Sequence, residues 1–328
     1  MISIGILSTA EVNRQSLSIP VKKRSDCQVT AVASRSSQRA REYAKLHDIP
    51  TAYGTYQGLL DDPKIDVIYI STPNALHDFW TEKALQAGKH VLCEKPAFTV
   101  KGNAASLKKL ALTRNLLLME AMHYRYHPAL KDFFGLLEKK FLGDIKFVKT
   151  SLKSYLPTRQ NDIRLNAALK GGAFMHLGCY CLDAITSIVG EPLFFQDLNV
   201  VKKTNGVDLK SEGSLVTSDG KTRAEFLCDF DDNVFESEIE VKGEKGSMRL
   251  RSGLNPTNFA FENPSDTWIL ETDLQPQPCL SKGDGFSTYD FQLDYFIESL
   301  KKGNHTPKIN AHASELLAEG SDLLALRI

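Results

Sequence analysis

Apolar positions come in short unbroken runs along the first third of the chain and alternate with polar ones along the rest. Runs at 2–7, 28–34, 66–71, 90–94 and 116–121 read as strands covered on both faces. A brief extended piece is expected at 51–53. Helical stretches separate them. One, short and poorly capped, runs from 11 to about 20. Another spans 36–47 with Ser36 or Ser37 as N-cap, a third spans 74–87 and is closed by Gly88, and a fourth spans 102–114. Such alternation predicts a parallel, doubly wound sheet. Beyond about 122 the pattern changes. An amphipathic helix is expected over 128–141, then mainly strands and turns. Strands at 214–217 and 222–230 flank Ser218-Asp219-Gly220-Lys221. Strands at 238–241 and 247–250 flank Lys242-Gly243-Glu244-Lys245-Gly246. Both read as hairpins. A last helix is expected at 311–326. The fold class is α/β: a doubly wound parallel sheet over 1–122, then an α+β domain over 123–328. The second domain carries a large, mostly antiparallel open sheet with helices on one face, and the final helix is expected to pack back on the first domain.

A length of 328 residues suits two domains better than one core. Lys+Arg and Asp+Glu both number 40, so the formal net charge is zero and no field favours nucleic acid or an acidic membrane. The cluster Lys22-Lys23-Arg24 is short and reads as a solvated face. The six cysteines form no C-x-x-C pair, and Cys93, Cys179 and Cys181 sit in apolar runs as small buried hydrophobes. No uncharged run approaches the roughly 18 residues of a membrane helix. The chain starts directly on a strand, and a reduced, cytoplasmic setting is expected. His123 and His127 stand four apart, but no H-E-x-x-H frame exists and no metal site is expected.

In an open α/β sheet, ligands bind beyond the carboxyl ends of the strands. Those ends are chemically distinctive here. After the first strand come Ser8, Thr9 and Ala10, where the frame G-x-G-x-x-G is filled by Ser8, Ala10 and Asn13. Ser8 and Ala10 are small enough for a phosphate loop if the backbone avoids a glycine-only conformation. Ser8 and Thr9 add hydroxyl donors, and Asn13 in place of the packing glycine implies a splayed helix. After the second strand come Ser34, Arg35 and Ser36. With a guanidinium and hydroxyls present and no carboxylate, a 2′-phosphate is favoured, so the cofactor expected is NADP. Ser71, Thr72, Pro73 and Asn74 follow the fourth strand, Glu94, Lys95 and Pro96 the fifth, and Glu120 the sixth. A partly desolvated Lys95 suits proton transfer. In Gly171–Asp183, a glycine pair opens an apolar helix on which His176 and Tyr180, four apart, share a face.

The segments "STPNALH" (71–77), "AGKHVLCEKP" (87–96), "LLLMEAMHYRYHP" (116–128) and "GGAFMHLGCYCLD" (171–183) together resemble the glucose–fructose oxidoreductase and inositol dehydrogenase family. The chain is most similar to its dimeric dihydrodiol (D-xylose) dehydrogenase branch, with deoxysugar ketoreductases next. The resemblance implies an N-terminal Rossmann domain, a C-terminal domain whose open sheet makes a homodimer or a dimer of dimers, and NADP(H)-dependent hydride transfer at a carbon of a sugar or diol. By that resemblance Lys95 is the catalytic lysine and Tyr180 the proton donor. Asn74 and His77 form the cofactor-side N-x-x-H segment, and Arg125 lies beside the nicotinamide. His176 stands where the family usually has Asp, and is carried as a third catalytic candidate. The expected mechanism places a carbonyl between the nicotinamide and Lys95/Tyr180, with cationic Lys95 lowering the phenol pKa. Two other readings share the fold: a non-catalytic NADP-binding sensor or partner protein, and an NAD-dependent glycosidase.

Overall fold

The computed structural model describes residues 1–156, 162–230, 234–255 and 265–327. Two compact units emerge: Met1–Met122 with Tyr289–Ile309, and His123–Thr288 with Asn310–Ile328.

In the first unit, β1 (Ile2–Leu7), β2 (Cys27–Ala33), β3 (Thr51–Tyr53), β4 (Val67–Ile70), β5 (His90–Cys93) and β6 (Leu118–Glu120) form one sheet. Its order is β3-β2-β1-β4-β5-β6, all neighbours parallel. Ile4, Ile6, Ile68, Ile70, Val91 and Cys93 are each 1% exposed or less, so the unbroken apolar runs mark strands sandwiched between helix layers. The crossovers carry α1 (Ile19–Lys22), α2 (Ser37–Leu46), α3 (Tyr56–Leu60), α4 (His77–Gln86) and α5 (Asn103–Thr113). Ser36 caps α2, its Oγ accepting from Arg39 N at 3.3 Å. Gly5 packs closely on α3: a Cβ there would stand 2.8 Å from Leu59 Cδ1 and make that side chain shift.

In the second unit, α6 (Pro128–Glu138) precedes β7 (Ile145–Lys153) and α7 (Cys179–Val189). Strands β8 (Leu193–Thr204), β9 (Val207–Thr217), β10 (Arg223–Asp229), β11 (Glu236–Gly243), β12 (Ser247–Arg251) and β13 (Ile269–Thr272) follow. The sheet order is β13-β12-β11-β7-β10-β9-β8, antiparallel except for the parallel pair β7/β10. Both expected hairpins form, as β9/β10 and β11/β12. Val148, Thr150, Ala224, Phe226, Ile239 and Val241 are buried on the face that α7 covers. The opposite face is charged, with Arg249 within 3.6 Å of Glu238 and 3.4 Å of Glu240, and Arg251 3.0 Å from Glu271. The stretch Ala167–Val189 is long and apolar enough to span a membrane by length and composition, yet 83% of its most apolar window is buried in the protein.

After β13, α8 (Thr288–Lys301) and the strand-like piece ending at Ile309 rejoin the first unit. Arg24 binds Asp26 at 2.8 Å and also Asp294 of α8, while Lys308 pairs with the edge of β6. The final helix, α9 (Ala311–Ala325), groups instead with the second unit, where His312 Nε2 accepts from Leu193 N at 2.9 Å.

Candidate active site

The strand order of the first unit reverses between β1 and β4, which makes that fork the ligand crevice of such a sheet. Ser8, Thr9 and Ala10 leave β1 there. Ser8 has φ +136°, so the expectation that this loop fits without strain is overturned. An L-residue in that region costs about 1–3 kcal/mol. Asn13, fully buried, holds the turn by giving Nδ2–H to Ser8 O at 3.0 Å. The chain after it winds as a wide π turn over Arg14–Ser18 before α1.

Ser71 and Thr72 leave β4 at the same fork. Their hydroxyls are buried and meet no partner among the described residues. Buried polar atoms are rarely left so, and these two suit the ribose and phosphate oxygens of a dinucleotide. At the end of β2, Ser34 Oγ accepts from Ser36 N at 3.4 Å and Ser36 Oγ from Arg39 N, so each hydroxyl keeps its hydrogen to donate. Arg35 is exposed. Burial pushes the Tyr56 phenol up while Arg35 and Arg39 pull it down, which places a second guanidinium, Arg39, that the sequence reading passed over. These residues fit NADP.

Lys95 follows β5 in a loop pinned at four points. Glu94 Oε2 accepts from Lys95 N at 3.3 Å, Glu120 Oε1 from Ala97 N at 2.9 Å and Asp78 Oδ2 from Thr99 N at 2.9 Å. The fourth point is His77. It is 1% exposed, and its ring nitrogens lie 2.8 Å from Pro96 O and 2.6 Å from Thr72 O. The imidazole therefore spends both nitrogens inside the protein. It ties the loops after β4 and β5 together and leaves no ring nitrogen for a cofactor. Burial pushes its pKa down, and the two carbonyls oppose that shift. Asn74 and Pro73 begin the 3₁₀ turn Asn74–Leu76 that leads into α4.

Glu94 itself is buried, and its other oxygen joins a chain of short contacts. Oε1 lies 2.6 Å from Tyr69 Oη, Tyr69 Oη 2.5 Å from Ser16 Oγ, and Ser16 Oγ 2.8 Å from Val12 O. Three contacts need three hydrogens, but the two hydroxyls supply only two and the carbonyl none. A protonated Glu94 would supply the third. Burial pushes this carboxyl up, in the same direction.

In the second unit, Tyr180 opens α7 after a π turn over Phe174–Gly178. The π turn lies between Gly172 and Tyr180, and His176 sits within it. His176 is half-buried and stacks toward Phe230 at 6.1 Å. Tyr180 Oη lies 2.9 Å from His123 Nε2, a partner the sequence reading did not assign. Nor do His123 and His127 act together: His127 Nδ1 caps α6, accepting from Ala129 N at 3.2 Å. Arg125 is committed to Asp183 in a bidentate pair at 2.5 and 2.6 Å. Asp183, fully buried, went unassigned because an Asp ending an apolar helix segment looks like an ordinary polar terminus. The turn before α7 rests on Asp208, whose Oδ2 accepts from Phe174 N at 2.7 Å. A Cβ at Gly172 (φ +106°) would meet that carboxyl at 2.1 Å. Among the described residues, no three His, Cys, Asp or Glu side chains are grouped to hold a metal.

Two family models match the chain. One, described as "Oxidoreductase family, NAD-binding Rossmann fold", covers residues 4–122, and the "GFO/IDH/MocA C-terminal domain" covers 135–249. The NADP(+)-dependent D-xylose 1-dehydrogenase 2 of Haloferax volcanii is 36% identical over 94% of this chain and 92% of its own. Human trans-1,2-dihydrobenzene-1,2-diol dehydrogenase is 32% identical over 97% of this chain and 93% of its own. The 3-ketoreductase KijD10 of Actinomadura kijaniata, solved with NADP and TDP-benzene, superposes with a TM-score of 0.80 at 25% identity, covering 99% of this chain and 97% of that one.

Proposed function

The chain belongs to the GFO/IDH/MocA oxidoreductase family, and from that premise we propose that it is an NADP(H)-dependent oxidoreductase acting on a CH–OH carbon of a sugar, sugar derivative or diol. The observation that carries this reading is the full-length likeness to NADP-dependent D-xylose dehydrogenase, on a chain whose second strand ends in Ser34-Arg35-Ser36. NADP(H), when bound, accepts or gives the hydride. Ser8, Thr9 and Ala10 would line the phosphate loop, Ser71 and Thr72 would give hydroxyls at the fork, and Arg35 with Ser34 and Ser36 would hold the 2′-phosphate. We assign the proton to Lys95 and Tyr180. The pinned loop supports the first assignment, since four backbone anchors hold Lys95 at a fixed strand end and a preorganised group needs little reorganisation. The buried bond to His123 supports the second. His176 and Arg125 receive weaker support, because their described partners are Phe230 and Asp183.

The test is NADP(H) turnover with a panel that includes D-xylose, deoxysugar ketones and a trans-dihydrodiol. Lys95→Met and Tyr180→Phe should each lower kcat by about 10²-fold or more while cofactor affinity stays within a few-fold. Arg35→Ala should shift preference from NADP toward NAD. Unchanged turnover in both active-site variants removes the assignment. Cofactor binding without turnover on any substrate would favour a sensor, and release of an aryl glycoside's sugar a glycosidase.

We also propose that the chain pairs as a homodimer through the outer face of the second sheet. Support comes from its rows of Arg and Glu side chains, which offer both signs of charge to a second copy of the same face.

A further inference from the structure

The turn His123–Tyr126 sends three consecutive side chains into α7. His123 Nε2 lies 2.9 Å from Tyr180 Oη. Tyr124 Oη donates to Asp183 Oδ2 at 2.7 Å, and Arg125 grips the same carboxylate and also Ser187 Oγ at 2.7 Å. Positions 180, 183 and 187 follow one helical face. Asn310 Nδ2 reaches Asp183 Oδ1 from the start of α9 at 3.2 Å. The turn is thereby clamped, and His123 has a fixed position against the phenol. Both rings are nearly sealed, His123 at 4% and Tyr180 at 7% exposure, with centroids 5.6 Å apart at 66°.

We propose that His123 is a positioning residue for Tyr180: its Nε2–H donates to the phenolic oxygen, aims the O–H away from the ring pair, and stabilises the phenolate left when that proton goes to the substrate oxygen. This rests on Tyr180 being the proton donor proposed above. The proton balance needs nothing further. In reduction the Tyr180 O–H bond breaks and the new alcohol O–H forms, while His123 stays neutral and keeps its Nε2–H. In oxidation the same phenolate takes the alcohol's proton. A buried phenolate with no donor would be costly, and a hydrogen bond to the charged form favours it. The described titratable groups packed here include His123, Tyr124, Arg125 and Asp183. Arg125 and Asp183 form an ion pair whose charges offset, and His123 is aimed at the phenolic oxygen.

The experiment follows kcat against pH for alcohol oxidation by the full chain. His123→Phe should move the acidic limb, where the phenol must ionise, upward by about one unit or more. His123→Gln, whose amide N–H stands where Nε2–H stood, should restore the wild-type profile. NADP affinity should be unaltered in both. A purely structural histidine predicts lower activity with an unshifted profile, and that result overturns the proposal. As a readout independent of folding in the variants, wild-type protein carrying ring-labelled tyrosine is titrated by NMR, with Tyr180 assigned by its loss in Tyr180→Phe. A midpoint below 10 supports the proposal, and one at or above 10 overturns it. If Tyr180→Phe keeps full turnover, the parent assignment fails instead, which distinguishes the two.

Discussion

Glu94 sits at the end of a chain of short contacts through Tyr69 and Ser16 to Val12 O, and a proton on its carboxyl would give every contact its own hydrogen. The folded-state pKa lies above the usual carboxylate value of 4.5, so above that value the native state holds a proton the unfolded chain has released. Stability from this group therefore falls as pH rises from about 4.5 to the folded pKa, then levels off. Glu94→Gln, whose amide donates in place of the acid, should flatten that slope and delete a carboxylic-acid C=O stretch from the infrared spectrum at neutral pH. If no such band is lost, Glu94 is ionised and the hydrogen count is wrong. The sequence offered "EKP" as a site for Lys95. It said nothing of its neighbour's charge state, because Tyr69 and Ser16 approach only when the first helix packs on the sheet.

Among elements, α4 and the loops it serves carry the clearest lesson. The N-x-x-H segment was read as facing the cofactor, yet His77 begins α4 with its ring turned inward between two loop carbonyls. Its influence on the cofactor passes through those loops. The neutral His77 ring carries one N–H, so His77→Leu removes the donor to one of the carbonyls of Thr72 and Pro96, at a cost of about 1–3 kcal/mol if that carbonyl stays buried. The expected result is a lower melting temperature together with a weaker NADP KM, by about tenfold, as the orphaned hydroxyls of Ser71 and Thr72 lose their fixed placement. A folded His77→Leu with unchanged cofactor affinity would show that the strut does not set the crevice. Periodicity served well for most other elements: the central strands, the α2 cap at Ser36 and both hairpins stand where residue pattern put them. It did not foresee the π winding at Phe174–Gly178, because a π turn has no distinct apolar period.

For the whole molecule, the two architectures differ in how they bury their sheets. The first is covered on both faces and has no outer surface to share. The second keeps one face of charges, with Arg249 among Glu238, Glu240 and Glu271. If that face joins two copies, Arg249→Glu sets like charges against one another and should convert a dimer to a monomer in light scattering after size-exclusion chromatography. A wild-type chain that is already monomeric, or a variant that stays dimeric, rules the interface out. High salt should weaken the wild-type dimer in the same assay, since exposed pairs are screened.

The sequence by itself determined the two sheet types, because apolar runs and alternation are local records of which faces will be covered. It also determined the residue types at the strand ends, and with them the class of cofactor and reaction. The tertiary structure alone decided what those residues touch. It strained Ser8 and tied it to Asn13, turned His77 inward, gave Arg125 to Asp183, and set Tyr180 against His123. The pairs made by His77 with Pro96, by Arg125 and by Tyr180 join residues far apart in the chain, and the Ser8–Asn13 bond depends on the path of a loop. A short stretch of sequence records neither.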